Sequence, residues 1–177
     1  FRNIDTRQCR VLLLDGAPVV LPPFGEKLSA AAKKELERIG VEIKLNGMVT
    51  NVDATGLDVK YKDGSTERIE SICKVWAAGV QASPLGRTLA EQSGIEVDRA
   101  GRVPVQPDLS LPTHPEVFVV GDMMSLDRLP GVAQVAIQGG RYAAKKIIGE
   151  LTGAPVTEPF KYFDKGSMAV ISRFGAV

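Results

Sequence analysis

An acidic side chain follows an apolar run in VFVVGD (117–122), which ends in Gly121-Asp122. A short apolar run without alternation is typical of a strand that is buried on both faces. Open α/β sheets bind ligands beyond the carboxyl ends of their strands, so a carboxylate at this end is placed to meet one. Because an ionised Asp122 only accepts hydrogen bonds, it would suit a polyol. The alternative is that Asp122 caps the N-terminus of a following helix.

The run VAQVAIQGGRYAAKKI (132–147) predicts a helix that carries residues unfavourable to a helix interior. Leucine or alanine would stabilise a helix better than its two amides and two glycines. These residues are Gln134, Gln138, Gly139 and Gly140. We expect the helix to span 132–151 and to end at Gly153. Its expected buried stripe comprises Ala133, Ile137, Gly140, Ala144, Ile147 and Leu151.

The second stripe of this helix comprises Gln134, Gln138, Arg141 and Lys145. It either faces water or lies, at its amino end, against a ligand that Asp122 also contacts, since the helix follows that acid closely. A flavin fits this place because its reduced ring carries negative charge near N1 and the C2 carbonyl, which a helix N-terminus would stabilise. Asp122 would then bind the ribityl chain of the flavin.

Two further strand ends offer weaker signals. Asp15 closes the apolar run RVLLLD (10–15), where dinucleotide-binding folds place an acid against the ribose hydroxyls. On this residue alone a simple Asp15-Gly16 turn is favoured, because the glycine-rich loop expected upstream is not in the sequence. Ala78-Gly79 follows KVW, and a glycine there lets backbone approach a planar ligand. The alternative is a plain bend.

The elements that would position these residues follow from periodicity. A strand at 10–15, a helix from Leu28 to a glycine cap at Gly40 and a strand at 41–45 form a parallel β-α-β unit. One helical face carries the expected buried residues Leu28, Ala32, Leu36 and Ile39. Alternating runs beginning at Met48, Gly56 and Thr66 predict an antiparallel meander, and Asp63-Gly64 predicts one of its turns.

The rest of the chain predicts a second α/β segment. KVWAAG (74–79) has the pattern of a buried strand, and ASPLGRTLAEQSG (82–94) that of a short helix. The alternation in FKYFDKGSMAVISRF (160–174) suggests β-structure. The predicted fold is α/β, with a small antiparallel layer between two nucleotide-fold segments, an arrangement that would let two ligands meet at a seam between domains.

Composition limits the classes of function. The 177 residues carry a net charge of +1, which argues against nucleic acid as a partner. No apolar run approaches the roughly 18 residues of a membrane-spanning helix. Cys9 and Cys73 lack metal-ligand spacing, and His114 has no second ligand nearby, so we predict no metal site. We expect both cysteines to be reduced and buried.

The quoted segments together resemble the type II NADH dehydrogenases, single-subunit NADH:quinone oxidoreductases, and most closely their actinobacterial group. The resemblance lies in five segments and spans most of the chain. They are VLLLDGAPVVLPPFGEKL (11–28), KVWAAGVQASPLG (74–86), VFVVGDM (117–123), AQVAIQGGRYAA (133–144) and YFDKGSMAVISRF (162–174). Ser172 stands where many relatives have glycine, which puts the fine shape of a quinone site in question.

The resemblance implies specific roles for individual residues. With Gly121, Asp122 would bind the ribityl chain of FAD. Ala133 and Gln134 would lie against the isoalloxazine, and Lys165, the lysine of D-K-G, would lie near it and favour the reduced ring.

Other implied roles concern the two substrates. Gln138 would face a quinone tunnel, and we predict Gln134 and Gln138 as the catalytic pair. Asp15, Ala78 and Gly79 would lie on the side of the nicotinamide and bind NADH.

The same resemblance implies a Rossmann-like, two-dinucleotide-binding-domain flavoprotein, present here as a partial chain. Residues 1–78 would belong to the NADH-binding domain and 79–159 to the FAD-binding domain. Residues 160–177 would begin a C-terminal region associated with quinone and membrane. We expect a longer parent protein, because the glycine-rich loops, a coupling glutamate and an amphipathic tail of the family have no counterparts here. The fragment alone should bind FAD poorly and be nearly inactive.

The implied activity is electron transfer from NADH through FAD to a membrane quinone, menaquinone or ubiquinone, without proton pumping. The enzyme would be peripheral to the cytoplasmic face of the cell membrane, as a possible homodimer. Two alternatives stay open. One is a soluble FAD-dependent NAD(P)H reductase of a small redox protein, and the other is a non-catalytic nucleotide-binding fragment.

Overall fold

The structure is a computed structural model, which describes Asn3, Asp5 and residues 8–177. It divides into two compact units. The first comprises Phe1–Trp76 and Gly166–Val177, and the second comprises Ala77–Lys165. Each unit is described separately below.

The first unit begins with the predicted β-α-β unit. Strand β1 (Val11–Leu14) pairs in parallel with β2 (Val41–Lys44), and helix α1 (Gly25–Arg38) connects them. The prediction that β1 is buried on both faces is wrong, since Val11 is 57% exposed. Among the described residues only β2 flanks this strand, so one edge has no neighbour to cover it.

The buried face of α1 also differs from the expected one. Ala32 is buried as predicted, but its buried neighbour is Ser29, whereas Leu28 and Ile39 are exposed. The residues before the helix fold back onto it, and the Ser29 hydroxyl donates to the carbonyl of Leu21 at 3.1 Å. This hydrogen bond allows a polar side chain to replace an apolar one at the buried face.

The antiparallel meander is confirmed. Strand β4 (Gly56–Tyr61) lies between β3 (Gly47–Val52) and β5 (Thr66–Glu70). Its first turn is closed by the Asp53 carboxylate, which accepts hydrogen bonds from the backbone N–H groups of residues 55 and 56. Gly64 occupies the left-handed region in the second turn, as the Asp-Gly pair predicts.

The second unit is built around one apolar core. Helix α2 (Pro84–Ser93) leads to a short parallel pair of β6 (Val103–Pro104) and β7 (Met124–Ser125), and helix α3 (Ala133–Thr152) follows. The buried core residues are Val103, Leu109, Leu111, Val119, Met124 and Val135. Helix α3 ends at Gly153 in the left-handed conformation, as predicted.

Two predicted strands do not form. Residues 74–79 are irregular, and Val75 is 84% exposed. In 117–122, Val119 is buried and Val120 is extended, but pairing is limited to an isolated bridge between Phe118 and Ser110, and residues 121 and 122 belong to a 3-10 turn. A strand needs a neighbour for its backbone hydrogen bonds, and the described residues supply no strand beside either segment.

The buried stripe of α3 is not the predicted one. Val135, Gly139, Ala143 and Gly149 are its buried residues, while Ile137 and Ile147 are exposed and Leu151 is 82% exposed. The helix is apolar on more than one side, so spacing alone does not decide which side meets the core. Gly139 lies on the buried side, where a Cβ built on it would be in ordinary contact with Leu109 at 3.5 Å and Val120 at 3.7 Å.

The C-terminal residues of the first unit form a small hairpin of β8 (Val170–Ser172) and β9 (Gly175–Ala176). The predicted β-structure over 160–174 is thus confined to its end. Both cysteines are exposed and unpaired, so the prediction of buried thiols is wrong. No helix within the described residues has the length and apolar character needed to cross a bilayer.

Candidate functional site

The carboxylate of Asp122 lies beside the segment that leads into α3. Residues Gly121–Met123 form a single 3-10 turn, which Gly121 enters with a φ of 72°. A Cβ built at Gly121 would lie 3.3 Å from the Cβ of Ala136, so this turn packs directly on α3. A Cβ built at Gly131 would lie 3.4 Å from the Oδ1 of Asp122. The acid and the start of the helix are therefore neighbours.

The polar groups at this place lack protein partners. Val132 precedes α3 and provides no side-chain cap. Within the described chain, no acceptor engages the backbone N–H groups of Ala133 and Gln134, and no donor engages the exposed carboxylate of Asp122. The alternative in which Asp122 caps a helix that follows it directly is wrong, because Asp122 lies inside a 3-10 turn that leads into β7. A negative charge thus stands beside a helix N-terminus that carries partial positive charge.

These donors and acceptors match the chemistry of FAD. A free carboxylate is an acceptor for the hydroxyl groups of a ribityl chain, and free N–H groups are donors for a ring carbonyl. The amide of Gln134 is half-buried and has no hydrogen bond among the described residues, so it adds a donor and an acceptor beside the N–H groups. The residues present fit the cofactor.

Three further polar side chains continue one face of α3 from Gln134. Their spacing of four residues places Gln138, Tyr142 and Lys146 in one row. Tyr142 donates from its hydroxyl to the carbonyl of Glu158 at 2.6 Å, and Lys146 Nζ lies 3.5 Å from the carbonyl oxygen of Val156. Residues 156–163, which we call the strap, therefore run along α3 in the opposite direction.

Gln138 binds the strap through both polar atoms of its amide. Its Nε2 donates to the carbonyl of Phe163 at 2.9 Å, and the N–H of Phe163 donates to its Oε1 at 3.0 Å. The predicted role of Gln138 at a quinone tunnel stays a prediction. The structure adds that the orientation of its amide is set by the backbone of Phe163.

Lys165 is exposed and follows the strap by two residues. The strap runs antiparallel to α3, from the level of Lys146 to that of Gln138. No ion pair within the described residues engages the Lys165 ammonium. Its predicted place near a flavin stays a prediction.

The residues predicted for NADH are divided between the two units. Asp15 belongs to the first unit, and its Oδ1 accepts a hydrogen bond from the backbone N–H of Ala17 at 2.9 Å, which is the geometry of the turn alternative. Ala78 and Gly79 belong to the second unit, in an exposed irregular segment. A Cβ built at Gly79 would meet nothing within 4 Å, so the space beside it is open.

One ion pair of α3 was not predicted from the sequence. Lys146 Nζ lies 3.0 Å from Asp108 Oδ2, and the lysine side chain is only 14% exposed. The hydrogen bond to Asp108 raises the pKa of Lys146. Burial raises the pKa of Asp108, but the hydrogen bonds from Ser110 and Lys146 outweigh it, so the pKa lies below its usual value. The D-L-S spacing, typical of an Asx turn, was the available signal.

Within the described part of the chain, no three His, Cys, Asp or Glu side chains come together as metal ligands. A second charged cluster, in the first unit, joins β2 to the meander. Lys44 donates to both carboxylate oxygens of Glu67, and the Tyr61 hydroxyl donates to the same group. The hydrogen bond from Lys44 is the main reason that the pKa of Glu67 is lowered. Each of these three side chains has its hydrogen-bond partner within the cluster, so none is left to bind a ligand.

Comparison with known proteins identifies relatives over the whole chain. The sequence model of the pyridine nucleotide-disulphide oxidoreductase family matches residues 3–140. Two proteins of Mycobacterium tuberculosis, type II NADH:quinone oxidoreductases Ndh and NdhA, are 61% and 58% identical to this chain, in alignments that cover 100% of it. A type II NADH:quinone oxidoreductase of Staphylococcus haemolyticus is 33% identical over 99% of the chain and 43% of its own length. The chain spans 39% and 38% of the two mycobacterial proteins.

Solved structures confirm the fold class. NDH2 of Plasmodium falciparum, in complex with NADH, has a TM-score of 0.81 and 13% identity, covering 95% of this chain and 49% of that chain. The sulfide:quinone oxidoreductase of Aquifex aeolicus has a TM-score of 0.66 and 14% identity, covering 82% of this chain and 36% of that chain. The predicted Rossmann-like flavoprotein fold and the predicted resemblance to type II NADH:quinone oxidoreductases are both confirmed.

Proposed function

The chain belongs to the pyridine nucleotide-disulphide oxidoreductase family, and from this premise we propose that it is part of an NADH:quinone oxidoreductase that uses FAD. The FAD that these residues would hold would supply two-electron chemistry, taking the hydride of NADH and giving two electrons, with two protons, to the quinone. The names of the relatives from Mycobacterium tuberculosis support this activity. The observation that carries the proposal is the pairing of Asp122 with the uncapped N-terminus of α3.

Each residue of this site has a distinct task in the proposed enzyme. Asp122 accepts hydrogen bonds from the ribityl hydroxyls and so fixes the position of the ring along its chain. The N–H groups of Ala133 and Gln134 donate to the carbonyl edge of the ring, where reduction places negative charge. The ammonium of Lys165 adds a second positive charge for the same purpose. The amide of Gln134, with no competing protein partner, orients the ring edge.

The proposal also covers the binding of the two substrates, NADH and a quinone. NADH would be bound with the help of Asp15, Ala78 and Gly79. The quinone, menaquinone or ubiquinone, is soluble in lipid, which supports placement of the enzyme at the cytoplasmic face of the membrane, as a peripheral protein. A homodimer is part of the same expectation.

The test is a matched pair of amide substitutions in the full-length protein. Asp122→Asn replaces an acceptor by a group that also carries two N–H donors, so it should weaken FAD binding about 10- to 100-fold, the value of one or two hydrogen bonds to a charged group. Asp127→Asn is the control, since Asp127 is also acidic and exposed, five residues further on. Flavin content and the dissociation constant of FAD are measured by absorbance and fluorescence.

Asp127→Asn should bind FAD as the wild type does. If Asp122→Asn also binds FAD with unchanged affinity, the carboxylate does not hold the cofactor and the proposal fails. If wild-type full-length protein binds FAD but does not oxidise NADH with a quinone, the site stands and the proposed activity is wrong.

A further inference from the structure

We propose that a left-handed turn at Asp127 and Arg128 positions the flavin site, because it returns the chain to the side of Asp122. Position 128 acts through its backbone conformation and not through a contact of its side chain with FAD. The effect on FAD rests on the proposed function. The conformational preference of the turn does not depend on that function.

The turn contains two consecutive residues with positive φ, Asp127 at 45° and Arg128 at 58°. It is closed by the N–H of Leu129, which donates to the carbonyl of Leu126 at 2.8 Å. Positive φ at both central residues is the pattern of a type I′ turn, which glycine, asparagine and aspartate favour. Aspartate at 127 follows this preference. Arginine at 128 does not, because its Cβ makes the left-handed region unfavourable.

The residues on either side hold the turn in this conformation. Leu126 and Leu129 are half-buried and pack against the apolar core of the second unit. The guanidinium of Arg128 has no hydrogen bond or ion pair within the described part of the chain, so the side chain does not hold the turn. An unfavourable backbone conformation persists only where the surrounding structure imposes it, and such positions cluster at functional sites.

The turn lies inside a loop whose two ends meet at the proposed site. Asp122 is followed by β7, which pairs with β6. After the turn the chain comes back so closely that a Cβ built at Gly131 would lie 3.4 Å from Asp122 Oδ1. Ala133, the first residue of α3, follows two positions later. Because the turn reverses the chain between β7 and α3, its conformation sets how close the helix N-terminus lies to the carboxylate.

Substitutions at position 128 separate the backbone from the side chain. Arg128→Gly and Arg128→Val both remove the guanidinium, but they have opposite effects on the left-handed conformation. Glycine adopts this conformation freely, so the glycine variant should keep the turn. A branched Cβ strongly disfavours it, so the valine variant should shift the turn. Asp127→Asn, the control in the test of Asp122, leaves the turn unchanged because asparagine tolerates the same region.

The first experiment measures this conformational preference in the full-length protein. The melting temperature of Arg128→Gly should exceed that of Arg128→Val by about 2–5 °C. Arg87→Val is the control, because Arg87 is exposed and lies within the helix α2. This control should stay within about 1 °C of the wild type. Equal melting temperatures of the glycine and valine variants would contradict the unfavourable conformation of Arg128 and overturn the proposal.

The second experiment measures the dissociation constant of FAD in the same proteins. It should rise about 10-fold in Arg128→Val and stay within twofold of the wild type in Arg128→Gly and Arg87→Val. Equal losses of affinity in the glycine and valine variants would show that the arginine side chain itself contacts FAD. Unchanged affinity in Arg128→Val would show that the turn does not position the site. Either result would overturn the proposal.

The reduction potential of bound FAD separates positioning from a general loss of stability. The N–H donors at the start of α3 should stabilise the negative charge of the reduced ring. If Arg128→Val moves them, the affinity for reduced FAD should fall about 10-fold more than the affinity for oxidised FAD. That difference lowers the potential by about 30 mV for a two-electron couple. A wild-type potential in Arg128→Val would mean that the variant is only less stable, against the proposal.

Two further variants keep the outcome unambiguous. Arg128→Thr has the same branching and a polar side chain, and it replaces Arg128→Val in each measurement if the valine variant does not fold. Unchanged FAD affinity in Asp122→Asn would contradict the proposed function, while the order of the melting temperatures would still decide whether the turn has the conformational preference described.

Discussion

The two ends of α3 differ in what their polar side chains contact. Toward the C-terminal end, Tyr142 and Lys146 are engaged by the strap and by Asp108. At the N-terminal end, Gln134 has no hydrogen-bond partner within the described residues, and neither does Asp122 beside it. Along the row Lys146, Tyr142, Gln138 and Gln134, the first three side chains therefore have hydrogen-bond partners in the protein and the last has none among the described residues. The open end is where a ligand can contribute what the protein does not.

Gln138 stands at the boundary between these ends. Its residue type is that of Gln134, but its amide is bound to the backbone of Phe163. The sequence predicts both amides as a catalytic pair, Gln134 against the flavin and Gln138 at a quinone tunnel, while the structure gives a protein partner to Gln138 alone. Residue type and spacing therefore locate the functional helix, but they do not show which of its glutamines has a protein partner.

The largest expected effect is on the free energy of unfolding, and it compares two glycines of α3. A Cβ at Gly149 would lie 2.5 Å from the carbonyl oxygen of Ala154, whereas a Cβ at Gly140 would meet nothing within 4 Å. Gly149→Ala should therefore lower the free energy of unfolding by about 2–3 kcal/mol through overpacking. Gly140→Ala should raise it by about 0.5–1 kcal/mol through helix propensity. Urea denaturation checks both, and equal effects would contradict the packing of this helix end.

A substitution at the satisfied end should affect stability but not FAD. Lys146→Met leaves the partly buried Asp108 without its ion-pair partner, at a cost of about 1–3 kcal/mol in the free energy of unfolding. The affinity for FAD should stay within twofold of wild type. A large loss of FAD affinity with unchanged stability would place Lys146 in the cofactor site and break the comparison.

The same pair predicts a dependence on pH. Because the pKa of Asp108 is lowered in the folded state, its contribution is complete above the ordinary pKa of aspartate, about 3.9, and is lost as the pH falls through the folded value. The stability of the wild type should therefore fall more steeply below pH 4 than that of Lys146→Met. Parallel curves of the free energy of unfolding against pH would show that Lys146 does not lower this pKa.

The smallest expected effect on stability is at the open end. Gln134→Leu removes an amide that has no protein partner, so the free energy of unfolding should change by less than about 0.5 kcal/mol. Tyr142→Phe, which removes the hydrogen bond to Glu158, should cost about 1 kcal/mol. For the reduction potential of FAD in the full-length protein the order should reverse, with Gln134→Leu giving the larger shift. A stability loss in Gln134→Leu equal to that in Tyr142→Phe would contradict the assignment of open and satisfied ends.

The elements confirmed from sequence are those with local signals. Hydrophobic periodicity and the cap at Gly153 predict α3, and Asp63-Gly64 predicts a turn of the meander, because each depends on neighbours within a few residues. The strands expected at 74–79 and 117–122 depend on pairing partners distant in sequence, and the described residues do not supply them.

The site was predictable to a similar extent. The association of Asp122 with the start of α3 follows from their closeness in sequence and from the glycines that admit close packing. The strap was not predictable, because its anchors accept or donate through backbone groups, which every residue carries. The prediction of the buried side of α3 was wrong because a spacing of four residues occurs on both sides of the helix. The buried residues Val135, Gly139 and Ala143 have it, and so do pairs in the predicted stripe such as Ala133 and Ile137.

The most direct measurement of the central claim is a crystal structure of the full-length protein with FAD bound. We expect a ribityl hydroxyl within hydrogen-bond distance, about 3 Å, of the Asp122 carboxylate, and a ring carbonyl at a similar distance from the N–H of Ala133 or Gln134. FAD bound away from this helix end, or with Asp122 facing only water, would contradict the account.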